Sequence, residues 1–136
     1  MEHGRYIADI DMSSWREKGT LAIDDTSYDV YREGMVSGDF ILEDDGIEIA
    51  AAEKPSAFKR MFHVHYANQV FTLKAASVFR RAIAVYADGY QVGMMEPRGV
   101  FTRRTDVDLP EELPLPVRVF MIWLAVVLWQ RESGSS

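Results

Sequence analysis

The residues with the most chemical potential are three basic pairs, a histidine pair and two acidic runs. Lys59-Arg60, Arg80-Arg81 and Arg103-Arg104 each place two cations side by side. Successive strand residues face opposite ways, so one cation of each pair can line a rim and meet phosphate or carboxylate. The competing reading is a solvated charged face. His63-Val64-His65 sets two imidazoles on one side of an extended segment, as some metal sites require. There is no cysteine, and His3 is distant in sequence, so His63 and His65 lack further ligands and neither a metal nor another cofactor is expected. The acidic runs AIDDTS (22–27) and LEDDG (42–46) lack the spacing of an EF-hand loop. Asp44-Asp45-Gly46 reads instead as turn chemistry.

Catalytic patterns are missing. The chain has no G-x-S-x-G, no G-x-x-x-x-G-K and no H-E-x-x-H. Ser13, Ser14 and the histidines form no arrangement that sequence alone brings together, so no catalytic residue is assigned and an enzyme stands only as an alternative. Phe79, Tyr86, Tyr90 and Phe101 lie among basic residues, a pattern seen in nucleic-acid binders. Alternation assigns most of them to the core, and a net charge of −6 opposes binding to a polyanion.

That net charge conceals a segregation. Residues 1–53 carry four basic and fourteen acidic side chains, whereas residues 54–104 carry nine basic and two acidic ones. Either acidic and basic strands pair and their fields cancel, or the chain builds one positive face on an acidic protein. With 136 residues, 48% apolar and 26% charged, the chain has the dimensions and composition of one soluble globular domain. A single domain over 1–132 with a loose SGSS tail at 133–136 is expected. The start, MEHGRYIADIDM, shows no basic segment followed by an apolar one, and cysteine is absent. The cytoplasm is the expected compartment, with peripheral attachment to a membrane allowed by the basic residues.

The elements that must position these residues read as short strands. Segments 27–33, 38–44, 46–53, 58–66, 69–75, 79–87, 89–96 and 99–109 are β-like, and Phe62, Val64 and Tyr66 alternate with Met61, His63 and His65. Asp45-Gly46 and Asp88-Gly89 sit between strand-like runs, where a tight hairpin needs positive φ, and Ala67-Asn68 closes another. Shifting the chain by 43 residues lays FILEDDGIEIAAAEKPSAFKR (40–60) on IAVYADGYQVGMMEPRGVFTR (83–103) without a gap. The turns, the alternating apolar positions and a distal Phe-x-Arg coincide. Two such meanders can close on one another as a barrel.

Between Val119 and Trp129 stand eleven apolar residues in succession. As a helix they cover about 16 Å, half of what a bilayer core requires. They offer no polar face for lying on a membrane. A helix apolar on all sides belongs inside a fold. Pro110, Pro114 and Pro116 stand just upstream, where a helix tolerates proline. The expectation is a buried helix over 117–131 and no transmembrane segment.

Short antiparallel strands, the turn VYADGYQVG, the weaker EDDGIEIA and a terminal LPVRVFMIWLAVVLWQR together resemble the tubby C-terminal-like superfamily. That superfamily holds the tubby domain, the phospholipid scramblases and the LURP-one-related proteins. The resemblance, over about residues 26–131, implies an antiparallel β-barrel closed around its C-terminal helix. Family barrels have twelve strands; nine or ten are expected here, making this chain a compact member. It further implies a non-catalytic binding or scaffold domain, engaging anionic lipid head groups or a protein partner through a basic face. The residues for that face are Lys59, Arg60, Arg80, Arg81, Arg103 and Arg104, although no family motif transfers a role onto any of them. A scramblase-like membrane role is also implied, but the scramblases' calcium-binding segment has no counterpart in this chain. Nothing in the sequence specifies an oligomeric state.

Overall fold

The computed structural model describes residues 19–23, 26–32, 39–53, 61–76, 81–97 and 105–134. Nine strands lie within them: β1 (Gly19–Ile23), β2 (Thr26–Arg32), β3 (Phe40–Asp44), β4 (Ile47–Glu53), β5 (Met61–Tyr66), β6 (Gln69–Ala75), β7 (Ile83–Ala87), β8 (Tyr90–Pro97) and β9 (Thr105–Asp108). They form one antiparallel meander in chain order, and helix α1 (Leu115–Gly134) follows. Among the described residues no ladder joins β1 to β9, so the sheet curls around the helix without closing. Strand β1 has no counterpart among the segments expected from alternation. The expected strand over 79–87 begins later among the described residues, at Ile83, and residues 58–60, 79–80 and 99–104 of the expected strands lie outside the described residues.

Local chemistry explains the hairpins. Asp45 and Gly46 have φ of 55° and 82°, and Asp88 and Gly89 have 53° and 82°. Two consecutive positive φ values match the right-handed twist of the flanking strands, and Asp and Gly are the residues that adopt them readily. Ala67 also has φ of 55°, but its Cβ resists that region. Ala67→Gly is therefore expected to stabilise the protein by about 0.5 kcal/mol, after the larger entropy of glycine in the unfolded chain is deducted. A denaturant midpoint that rises with unchanged slope is the sign to look for.

The repeat is longer than alternation suggests. In the first hairpin Phe40 pairs with Ala52 and the register shifts between Leu42 and Glu43. In the second, Ile83 pairs with Met95 and the shift falls between Val85 and Tyr86, each position 43 residues on. The same offset carries Leu21–Tyr28 onto Val64–Phe71. It carries Val30–Leu42 onto Leu73–Val85, and Ala52–Val64 onto Met95–Val107. Strands β1 to β5 therefore map onto β5 to β9. The fold contains two four-stranded units and the first strand of a third. The third unit's second strand would fall at 112–118, where Pro114 and Pro116 remove ladder donors and α1 begins instead.

The inner face is apolar and repeat-related: Phe40 and Ile83, Leu42 and Val85, Ala52 and Met95, Val64 and Val107 are all buried. Helix α1 fills the space they surround. Every residue from Val119 to Trp129 is at most 3% exposed, so the helix is covered on all sides. Trp123 meets Phe40 edge-on at 5.4 Å between ring centroids, and Phe40 meets Phe62 likewise at 5.4 Å. Each large side chain so buried contributes about 1.5–3 kcal/mol. The helix begins at Leu115, with the Pro114 carbonyl accepting from the amides of Val117 (3.0 Å) and Arg118 (3.1 Å). It runs past Arg131 to Gly134, so Ser133 and Gly134 belong to its last turn rather than to a tail.

Candidate functional site

An antiparallel meander sorts its connections between two ends. Here β1–β2, β3–β4, β5–β6 and β7–β8 are joined by two residues each, at one end of the sheet. The connections β2–β3, β4–β5, β6–β7 and β8–β9 are all longer and fall at the other end. Of the nine basic residues between 54 and 104, two lie among the described residues, Lys74 in β6 and Arg81.

Of the six cations singled out by their pairing, Lys59, Arg60, Arg80, Arg103 and Arg104 lie outside the described residues. Arg81 is described, immediately before β7, and it is half-buried. Its carbonyl accepts a hydrogen bond from Trp129 Nε1 at 2.7 Å, and its guanidinium stands 6.0 Å from the Trp129 ring centre. The Arg81 backbone thus fixes the point where α1 leaves the sheet, at the end with the long connections. Trp129→Phe keeps the bulk but orphans that carbonyl, so a loss of about 1–2 kcal/mol is expected in equilibrium unfolding.

His63 and His65 face outward from β5, opposite the buried Phe62 and Val64, as alternation predicts. His63 Nδ1 lies 3.1 Å from Thr72 Oγ1, and His65 Nε2 lies 3.7 Å from Glu53 Oε1. Among the described residues no three His, Asp or Glu side chains converge as a metal would need. Beside this cluster the outer face carries two repeat-related clasps. The Tyr31 hydroxyl donates to Glu43 in the first unit. At the equivalent positions of the second, the Lys74 ammonium stands 4.9 Å from the Tyr86 ring centre. Each clasp spans the outward residue between its partners, Ile41 or Ala84, and both of these are buried.

One expectation about aromatic residues is corrected. Tyr86 is half-buried under Lys74, but Tyr90 is 76% exposed, because it follows the Asp88-Gly89 turn at the tip of the hairpin, beyond Val92 on the same face. Phe79 and Phe101 lie outside the described residues. Ile47, the counterpart of Tyr90 43 residues earlier, is 71% exposed, and Val70 near the β5–β6 turn is 48% exposed. Sequence reasoning did not single these out, though their position after the turn residues was visible. The same end is acidic: Asp45, Glu48, Asp88, Asp108, Glu111 and Glu112 are all exposed there. Its one cation among the described residues is Arg118, half-buried, with Nε donating to the Leu113 carbonyl at 3.0 Å.

These features define a mainly β domain, a nine-stranded antiparallel sheet curled around a buried C-terminal helix, with an acidic short-turn end. No protein-family model, no curated protein and no solved structure matches this chain. Among the described residues no helix is long and apolar enough to cross a membrane.

Proposed function

We propose that the protein is a non-catalytic binding domain of the tubby-like type, which recognises anionic groups at the end of the sheet bearing the long connections. The observation that carries this reading is topological. Lys59 and Arg60 are joined in sequence to β5, Arg80 and Arg81 to β7, and Arg103 and Arg104 to β9. The described starts of these three strands, Met61, Ile83 and Thr105, all belong to that one end. Three cationic pairs joined to the starts of alternate strands at one end are suited to clustered phosphate or carboxylate, such as lipid head groups or an acidic protein segment. The likeness to tubby-like proteins is supported by the antiparallel meander and its enclosed C-terminal helix.

Vesicle flotation tests the proposal. Binding to vesicles containing anionic lipid is expected at about 0.05 M salt and should fall at about 0.3 M, with none to purely zwitterionic vesicles. Replacing Arg103 and Arg104 together by Gln should weaken it severalfold. Salt-insensitive binding, or none to anionic vesicles, sinks the lipid version and leaves the acidic protein segment as the ligand.

A further inference from the structure

We propose that the opposite, short-turn end is a second binding surface, for a basic polypeptide segment that also presents apolar side chains. The three large apolar residues that stand exposed among the described residues, Ile47, Val70 and Tyr90, all lie at this end. They stand at the ends of alternate strands, Ile47 on β4 and Tyr90 on β8 at the tips of the same face as Ile49 and Val92, and Val70 on the outward face of β6, so these strands are roughly 10 Å apart along the rim.

The turns do not require them. Thr26 and Gln69 occupy the first position after the turn in the other two hairpins, and both are polar. Ile47 and Tyr90 hold that position in the two Asp-Gly hairpins. Apolar side chains placed at repeat-related tips, beyond what folding uses, mark a contact surface.

Charge selects the occupant. The exposed carboxylates of Asp45, Glu48 and Asp88 flank the apolar tips, and those of Asp108, Glu111 and Glu112 extend the same rim. Nucleic acid and anionic bilayers are repelled by such a rim. A second copy docking rim to rim would set these carboxylates against one another. A segment with lysine or arginine beside leucine-like side chains satisfies both parts of the surface, the apolar tips supplying contact area and the carboxylates orientation and encounter rate.

A synthetic amphipathic lysine–leucine peptide serves as the probe, with titration calorimetry on the full chain at about 0.1 M salt. Binding is expected, at least tenfold weaker for a lysine–serine peptide and undetectable for a glutamate–leucine one. Ile47→Ser combined with Tyr90→Ser should weaken it tenfold or more. Asp45→Asn combined with Asp88→Asn, which keeps residues tolerant of positive φ, should weaken it severalfold. All four substitutions fall on exposed positions, and an unchanged melting curve verifies that the fold is retained. Equal binding by the serine variant, no binding by the unaltered chain, or equal binding of the glutamate–leucine peptide overturns the proposal. So does self-association, or attachment to zwitterionic vesicles, that depends on Ile47 and Tyr90.

Discussion

Leu124→Asp is expected to abolish the folded state. Leu124 is fully buried at the centre of the apolar run, in a helix covered on all sides. The substitution removes a leucine from the core, which alone costs about 2–5 kcal/mol. It also places a carboxylate among Phe, Trp, Val and Met side chains, and burying an unpaired charge adds several kcal/mol more. The combined cost matches or exceeds the stability of a typical domain, about 5–15 kcal/mol. Circular dichroism should show loss of strand as well as helix signal, because the sheet has no other core. Leu124→Met, close in volume, should cost less than about 1.5 kcal/mol. If the Asp variant kept its sheet and only changed its behaviour toward membranes, α1 would be an anchor rather than the core.

Gly93→Ala is expected to destabilise by about 1–3 kcal/mol, a large effect for a single methyl group. A Cβ at Gly93 would lie 2.4 Å from the Asp108 carbonyl oxygen and 3.1 Å from Leu109 Cδ2. The first of these is backbone and cannot swing aside, so β8 and the end of β9 must separate. The position equivalent to Gly93 in the first unit is Ala50, which is buried. Opposite Ala50, β5 continues into a hairpin with β6. Opposite Gly93, β9 stops at Asp108 and the chain proceeds through Leu109 and Leu113, both buried, to the helix. Glycine is needed where the third unit abandons the repeat. Ala50→Gly, the reverse exchange, should cost about 1 kcal/mol or less. Comparable losses for both substitutions would mean that the close approach at Gly93 plays no part.

The features legible in the sequence were those written in local chemistry. Asp45-Gly46 and Asp88-Gly89 state their own backbone conformation, and the hairpins around them followed. Val119 to Trp129 declared a buried helix by lacking any polar face, although its ends did not. The full extent of the repeat was not legible, because backbone register carries it where side chains have diverged. Tyr31 with Glu43 and Lys74 with Tyr86 occupy equivalent places through different interactions. Strand β1 escaped notice for a related reason: GTLAI sets its apolar residues in succession rather than in alternation, and its partner in the repeat, FHVHY, shares none of its residues. Of the basic pairs, only Arg81 is described, and it lies just before β7 rather than within the strand that alternation suggests. Ile47 and Tyr90 fit the same apolar alternation as core residues. Only the height of each along its strand distinguishes a hairpin tip from the interior.

The helix has a consequence for how the protein comes into being. All nine strands precede α1 in the chain, so during synthesis the sheet emerges before the element that fills it. Phe40, Leu42, Phe62, Val64, Leu73 and Val85 then line a trough with nothing to cover them. Until α1 has also emerged and packed between the strands, the nascent chain is a half-built shell whose lining is open to any passing apolar surface, a state prone to aggregation.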